Sequence, residues 1–272
     1  FRGMDVHPEQ IIVGAGTEYL TGLVIQLLGR DKVYGLENPG YVKTHKIFNA
    51  NCSAISAIPV NEYGAEPAAM EVAQADVVHI TPSHQFPLGT IMPIARRHEI
   101  LNWAYGSPCR YIIEDDYDSD FYFSGRPVPS LQSMDTMGRV IYINTFTKSL
   151  APSMRISYMV LPPKLLEQFT EKLGFYACTV PVFEQLTLSE FMKRGYFDRH
   201  INRMKKLYKS RRDWFIECVN KSSLSGHIEI KGAAAGLHLL LHSTDGMTEK
   251  QMTEASAAHG VRVYGLSEYY SF

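Results

Sequence analysis

The chain has 272 residues, with 27 lysines and arginines against 28 aspartates and glutamates, a net charge of −1 and 45% hydrophobic residues. A chain of this length and apolar content buries a real core, which excludes a disordered protein or a peptide. Its balanced charge gives no whole-chain attraction to phosphate backbones or anionic membranes, so a stand-alone nucleic-acid-binding protein is not expected.

Cysteine usage and hydropathy indicate the compartment. The four cysteines are scattered, without a C-x-x-C pair, which is typical of thiols in a reducing environment rather than of a disulfide framework or a zinc site. No apolar run approaches the roughly 18 residues that span a bilayer, and no signal-peptide pattern opens the chain. We therefore expect a cytoplasmic protein without a membrane partner. Because the chain opens without a methionine, we also expect it to be part of a longer polypeptide.

Short β-branched runs alternate with helical patterns through the first 165 residues, which predicts βαβ units and a largely parallel sheet. Strands are predicted at residues 11–13, 32–34, 77–80, 111–113, 140–143 and 156–160, and helices at 18–28, 40–49, 67–73 and 94–105. After Pro162-Pro163 the pattern is mostly helical up to Asn220. A shorter α+β piece follows, with strands at 228–230, 237–241 and 261–264 and a helix at 248–259.

The predicted fold is therefore α/β, with a mostly parallel sheet in a large domain and a small α+β domain at the C-terminal end. The boundaries are 1–165 for the large domain, 166–220 for a helical connection and 221–272 for the small domain, which we expect to be incomplete. Ligands of open α/β sheets bind at the carboxyl ends of the strands, so candidate residues are sought there.

The turn after the first predicted strand is the first candidate, where Gly14-Ala15-Gly16-Thr17-Glu18 leads into a helix. Free amides at a helix start, with glycines that let the backbone approach, suit a phosphate. Such turns serve about as often as plain connections, and neither a P-loop nor a G-x-G-x-x-G fingerprint is present. Both interpretations stay open for the turn taken alone.

A cluster of acids ends the strand at 111–113, in the run Glu114-Asp115-Asp116-Tyr117-Asp118. These carboxylates could bind a metal, form a solvated loop, or include one that pairs with a buried cation. The solvated loop is the favoured interpretation without further context. No histidine lies among them at ligand spacing, so we predict no metal site.

A lysine with hydroxyl neighbours follows the strand at 140–143, in Thr145-Phe146-Thr147-Lys148-Ser149, and Arg155 comes seven positions later. A lysine, hydroxyls and an arginine are the parts of a Schiff-base site beside a phosphate. Most lysines are solvated surface charges, so Lys148 stands out only through its neighbours.

Together these segments resemble the fold-type I pyridoxal-phosphate enzymes of the aspartate aminotransferase superfamily. More narrowly, they resemble its MocR/GabR branch, in which an aminotransferase-like domain is fused to an N-terminal winged helix-turn-helix in transcriptional regulators. The segments that carry the resemblance lie at residues 37–41, 81–93, 114–119 and 145–155, in the family's order. They cover nearly the whole chain and are specific in combination.

The resemblance implies a set of contacts to the ring of pyridoxal 5'-phosphate. Lys148 matches the lysine that forms the internal aldimine, and Asp115 matches the acid that pairs with the pyridine nitrogen and keeps it protonated. Tyr117 would donate to the ring hydroxyl, and Tyr41 would stack on the ring face.

The resemblance also implies the phosphate contacts. They are the backbone of Gly16, Thr17 and Glu18, the hydroxyls of Thr145 and Thr147, and the guanidinium of Arg155. We expect the carboxylate of Glu18 to point away from the phosphate, so that only its amide takes part.

One departure from the family concerns the ring hydroxyl. Many aminotransferases of this fold have an asparagine in Asn-Pro-x-Gly that bonds this hydroxyl, and the matching position here is Phe86. Unless Gln85 or His84 substitutes, one cofactor contact is lost. This difference fits a domain kept for sensing better than one tuned for turnover.

An amino-acid ligand further needs a cation for its carboxylate. Arg262 is one candidate, because it lies near the position where GabR-like proteins have theirs, and Lys43, just after Tyr41, is the other. An exposed charge at a strand end is an equally good interpretation of Arg262.

The function that follows from the resemblance is effector binding and dimerisation in a PLP-dependent transcriptional activator. The chain would hold the cofactor as a Lys148 aldimine and sense an amine or amino acid, γ-aminobutyrate in the GabR-like group, by forming an external aldimine. We expect a homodimer, a sensor without sustained turnover, and DNA contact only through a winged-helix domain outside this chain. The alternative is a true PLP-dependent aminotransferase.

Overall fold

The computed structural model describes residues 2–123 and 128–271. Its strands are β1 (Ile11–Gly14), β2 (Val33–Asn38), β3 (Ala54–Asn61), β4 (Gly64–Ala65), β5 (Val77–Ile80), β6 (Tyr111–Asp115), β7 (Val140–Thr145), β8 (Ser157–Val160), β9 (Ile228–Lys231) and β10 (Leu240–Ser243). Its α-helices are α1 (Thr17–Leu28), α2 (Val42–Asn51), α3 (Pro67–Val72), α4 (Ile94–Tyr105), α5 (Leu131–Met134), α6 (Phe146–Ser149), α7 (Pro163–Leu173), α8 (Val182–Lys193), α9 (Tyr196–Lys221) and α10 (Glu249–Ala258).

Eight strands form one sheet in the order β1-β8-β7-β6-β5-β2-β3-β4. The central strands β3, β2, β5, β6 and β7 are parallel to their neighbours in this group, whereas β8 is antiparallel to both β7 and β1, and β4 is antiparallel to β3. The strands β9 and β10 form a separate antiparallel pair. The predicted α/β fold with a mostly parallel sheet and a small C-terminal sheet is confirmed.

The sheet is covered by helices on both faces, and this explains its uninterrupted apolar strands. Successive side chains of a strand point to opposite faces, so both faces of a covered sheet must be apolar. Val77 packs with α1 and α7 on one face, and its neighbour Val78 packs with α3 and α4 on the other. Ile113 and Ile112 divide in the same way.

Two parts of the sequence prediction differ from the structure. The strands β3 and β4 were not predicted, because Pro59 and several small or polar residues obscure the strand pattern of β3. The strand predicted at 261–264 is wrong: these residues have no regular structure, and Val261 is exposed rather than paired in a sheet. The division at residues 165 and 220 stays a prediction. Within the described ranges, no helix has the length and hydropathy needed to cross a membrane.

Candidate functional site

The strands β6 and β7 are adjacent and parallel, so the groups that follow them meet at one edge of the sheet. Asp115 is the last residue of β6 and lies opposite Ile143 of β7. Lys148 follows in α6, the short helix that begins directly after β7. The carboxyl ends of β5 and β2 lead to the loops that carry Gln85 and Tyr41 at the same edge.

One carboxylate oxygen of Asp115 has a partner in the described part of the chain, and the other has none. Its Oδ2 lies 3.5 Å from Nε2 of His79, and its Oδ1 is buried with no hydrogen-bond partner among the described residues. A buried acceptor without a partner is costly unless a ligand supplies one. This oxygen suits a protonated ring nitrogen.

Tyr117 follows Asp115 by two residues and remains protonated. Its hydroxyl donates to the carbonyl oxygen of His84 at 3.1 Å. Burial, together with the negative charges of Asp118 and Asp115, raises its pKa well above the usual range. Tyr41 is half exposed and meets the ring of Phe86 edge-on at 5.4 Å, which leaves one face of Tyr41 open to a ligand.

Lys148 is exposed, and in residues 2–123 and 128–271 its ammonium has no hydrogen bond or ion pair. Helix α6 is held in place by hydroxyls: Thr145 caps it by accepting the Thr147 amide hydrogen at 3.2 Å. The Thr147 hydroxyl lies 2.8 Å from that of Thr145, which also accepts from the Ser157 hydroxyl at 2.8 Å. The two threonines predicted for the phosphate are therefore brought together beside Lys148.

The predicted phosphate turn is formed, with differences in detail. The amide of Gly16 donates to the Gly14 carbonyl at 2.9 Å, so α1 offers the amide of Thr17 instead, together with that of Glu18, which here donates to its own carboxylate. Gly16 has φ +99°, a backbone conformation that favours glycine, and a Cβ there would lie 2.2 Å from Nη2 of Arg155.

The carboxylate of Glu18 does not point away from this turn. Its Oε2 accepts from Nη2 of Arg155 at 2.7 Å, and its Oε1 pairs with Nζ of Lys43. Lys43 is therefore held beside the phosphate turn. Arg262, by contrast, is exposed and lies over the ring of Tyr264 at 4.9 Å, without a hydrogen bond to a predicted site residue in the described part of the chain.

Gln85 is fully occupied by its surroundings. It is 1% exposed, its amide nitrogen donates to the carbonyls of Pro39 at 3.0 Å and Phe86 at 2.7 Å, and its side-chain oxygen accepts from the Leu88 amide at 3.0 Å. These hydrogen bonds hold the 85–89 loop in place. Its predicted contact with the cofactor ring hydroxyl is not favoured by these bonds.

A cluster that the sequence reasoning missed joins this loop to the C-terminal part of the chain. Nδ1 of His84 lies 2.9 Å from Oδ2 of Asp118, and the His238 ring lies 4.2 Å from that of His84 and 5.1 Å from that of Phe86. Burial, with the nearby His84 ring and Lys148 ammonium, lowers the pKa of His238 to about 3, so this ring is neutral. Donor atoms of these two histidines and Asp118 lie within 4.8 Å of one another.

Gly236 makes this close packing possible. Its φ is +69°, and a Cβ there would lie 1.9 Å from Nδ1 of His84 and 2.5 Å from Oδ2 of Asp118. The one sequence signal for the cluster was His238, because it stands in an otherwise apolar run. Nothing local in the sequence joins residues so far apart.

A family model described as aminotransferase class I and II matches residues 1–268. The chain belongs to this family. Family membership implies pyridoxal 5'-phosphate as the cofactor, as predicted. The unpartnered oxygen of Asp115, the unpaired ammonium of Lys148 and the glycine cradle at Gly16 fit that group.

The curated relatives of the chain include transcriptional regulators. It is 45% identical over 269 residues to the uncharacterized HTH-type transcriptional regulator YdeL of Bacillus subtilis, covering 99% of the chain and 58% of that protein. It is 31% identical over 270 residues to the probable rhizopine catabolism regulatory protein MocR of Rhizobium meliloti, covering 99% of the chain and 54% of that protein. The chain corresponds to their aminotransferase-like part, and the predicted resemblance is confirmed. It spans little more than half their length.

Solved structures of similar fold are aminotransferases. The kynurenine aminotransferase of Pyrococcus horikoshii has a TM-score of 0.82 at 28% identity, over 96% of this chain and 66% of that one. An archaeal alanine:glyoxylate aminotransferase has a TM-score of 0.84 at 23% identity, over 99% and 69% of the two chains. The second likeness shows the fold alone.

Behind the site, Glu37 is buried and its Oε2 accepts from the Thr81 hydroxyl at 2.6 Å and the Thr81 amide at 3.1 Å. Burial raises its pKa to about 7 from the ordinary 4.5, despite these hydrogen bonds. Between these two pH values the folded chain keeps a proton that the unfolded chain has lost. Stability from this group is therefore lost as pH rises from 4.5 to 7.

We predict that Glu37→Gln, which cannot ionise, gains stability relative to the wild type across this pH window, by up to about 3 kcal/mol at pH 8. Urea unfolding at pH 5, 6, 7 and 8 measures the difference. The exposed Glu9→Gln variant serves as control, since its difference from the wild type should stay constant. A Glu37→Gln difference that is equally constant would contradict a buried carboxylate of raised pKa.

Proposed function

We propose that this chain is the cofactor- and effector-binding part of a transcriptional regulator. It holds pyridoxal 5'-phosphate covalently on the Lys148 amine and senses an amine or amino acid that takes over that bond. The observation that carries the cofactor assignment is the buried, unpartnered oxygen of Asp115 at the strand end next to β7. The regulator assignment is supported by the 45% identity to YdeL along 99% of the chain.

γ-Aminobutyrate is the proposed effector, because the segments at 81–93 and 114–119 resemble the GabR-like group. Its amine would reach the cofactor, and its carboxylate needs a cation at a short distance. We propose Lys43 for this task, since it lies beside Arg155 and follows Tyr41 by two residues. Arg262 lies against Tyr264 and is the weaker candidate.

A homodimer and DNA contact through a domain outside this chain complete the proposal. The segment from Phe175 to Phe183 exposes several apolar side chains, among them Phe175, Val182 and Phe183. The same segment contacts the phosphate turn, because the Thr179 hydroxyl accepts from the Ala15 amide at 2.9 Å. An exposed apolar face is typical of a protein interface. A second copy seated there would contact the phosphate turn, and the regulator would activate genes for effector use.

A true aminotransferase is the second candidate. The observation in its favour is the likeness to the kynurenine aminotransferase, at 28% identity and a TM-score of 0.82. Both functions need the same cofactor residues, so the site residues alone do not separate them.

For the cofactor, we predict that Lys148→Ala abolishes the visible absorbance of the lysine-bound form, because Lys148 is the lysine that follows β7 in the described part of the chain. The side chain is exposed, so the variant should fold and its circular dichroism should match the wild type. Lys193→Ala, an exposed lysine on α8, is the matched control. An unchanged spectrum for Lys148→Ala would refute the assignment.

For the effector carboxylate, we predict that Lys43→Met weakens γ-aminobutyrate binding about tenfold, because a hydrogen bond to a charged group contributes roughly 1.5–3 kcal/mol. Spectral titration of the cofactor-loaded protein measures this affinity. Arg262→Met is the comparison and should bind as the wild type does. The reverse result would assign the carboxylate to Arg262.

A turnover assay separates the two candidate functions. The cofactor-loaded chain is mixed with γ-aminobutyrate and a keto-acid acceptor, and both the cofactor spectrum and the new amino acid are followed. We predict a stable spectral shift with less than one equivalent of product. Sustained multiple turnovers would establish the aminotransferase and rule out the sensor without turnover.

A further inference from the structure

Glu18 is the only anion among the charged groups that converge on the phosphate turn in the described part of the chain. Its carboxylate bridges Arg155, at 2.7 Å from Nη2, and Lys43. A Cβ placed on Gly16 would lie 2.2 Å from Arg155 Nη2 and 2.5 Å from Glu18 Oε2. Both charged atoms are therefore packed against the backbone of the turn itself.

The donors that hold Glu18 are those that a phosphate group would use. Burial opposes its ionisation, but hydrogen bonds from Lys43, from its own backbone amide at the start of α1 and from Arg155 lower its pKa below the usual range. Glu18 is thus an anion at neutral pH. A guanidinium, a helix-start amide and an ammonium are also the elements of a phosphate site.

The three side chains are accessible enough to change partners. Arg155 is 48% exposed, Lys43 53% and Glu18 27%. Exposed ion pairs contribute little and exchange readily. A phosphate dianion that approaches Arg155 meets the charge of Glu18 on the same guanidinium, so either the carboxylate moves or the two anions repel each other.

We propose that Glu18 is a resident anion that competes with the phosphate of the cofactor for Arg155, and that it thereby lowers the affinity of this chain for pyridoxal 5'-phosphate. Displacement of Glu18 also releases Lys43 for an effector carboxylate. The proposal deepens the function proposed above and rests on it. A lower affinity moves half-occupancy of the site to a higher concentration of the cofactor.

The competing explanation has the opposite sign. If Glu18 only orients Arg155 for the phosphate, its removal loosens the guanidinium and weakens cofactor binding. The direction of the change in affinity therefore distinguishes a competitor from a positioning residue.

The test is Glu18→Gln, which keeps the shape of the side chain and removes its charge. Two probes are titrated, pyridoxal 5'-phosphate followed by absorbance and inorganic phosphate followed by calorimetry. We expect Kd to fall about tenfold for both probes, equivalent to ~1.4 kcal/mol. Glu190→Gln is the matched control and should leave both Kd values unchanged, because this exposed carboxylate of α8 pairs with Arg194, directly after the helix.

Two further measurements test whether the charge of Glu18 causes the change in affinity. Glu18→Ser removes the charge with a smaller side chain and should also tighten binding. The difference in Kd between the wild type and Glu18→Gln should become smaller as the salt concentration is raised, because exposed charges are screened. Unchanged or weaker binding of inorganic phosphate by Glu18→Gln would overturn the competition.

The inorganic-phosphate arm does not depend on Lys148, so the two proposals can fail separately. A wild-type chain that never develops the absorbance of lysine-bound cofactor refutes the proposed function. Tighter phosphate binding by Glu18→Gln would still support the competition in that case. Normal cofactor absorbance with an unchanged Kd in Glu18→Gln refutes the competition alone.

Discussion

The end of β6 carries three consecutive carboxylates, of which Glu114 and Asp116 are buried and Asp115 is partly buried, and this is the constraint on which the site depends. A buried carboxylate is tolerated only where cations or hydrogen-bond donors compensate for lost water. Glu114 accepts two backbone hydrogens at the start of α5, each at 2.9 Å, and lies 3.5 Å from the buried guanidinium of Arg97. Asp116 pairs with Arg2 at 2.8 Å. Of these three, only Asp115, between them on the opposite face, keeps a buried oxygen without a partner in the described part of the chain, and this asymmetry supports its proposed contact with a ligand.

The same ion pairs hold the loop that forms a wall of the pocket. Arg97 donates to the carbonyls of Pro82 at 2.8 Å and Met92 at 3.1 Å, at the two ends of the segment that contains Gln85. Because breaking a buried pair leaves an uncompensated charge, the pairing of Arg97 with Glu114 ties the loop to β6 more firmly than surface contacts would. The apolar ring of Phe86 then stands where many aminotransferases of this fold have an asparagine, while these bonds hold the loop in place.

The sheet could be predicted because burial on both faces leaves a continuous apolar run in the sequence, as at Val77-Val78. Asp115 ends one such run and Lys148 follows another by a few residues, but their roles come from the family resemblance and stay a prediction. The contacts of Glu18 could not, since Lys43 and Arg155 are 25 and 137 residues away along the chain. Repulsion from a phosphate alone predicts that the Glu18 carboxylate points away from the phosphate turn. The two cations that attract it are a tertiary property.

The C-terminal part of the chain contributes a wall to a pocket that the sequence pattern assigns to the first 165 residues. The ring of Phe86 lies 5.4 Å from Tyr41, 5.1 Å from His238 and 5.1 Å from Tyr269, and the Tyr269 carbonyl accepts from the Gly40 amide at 3.0 Å. A ligand shifts a conformational equilibrium only by binding its states with different affinity. Because Phe86 contacts Tyr41 as well as His238 and Tyr269, a ligand stacked on Tyr41 would have a direct physical route to the C-terminal part of the chain, which is the coupling that the proposed sensor requires.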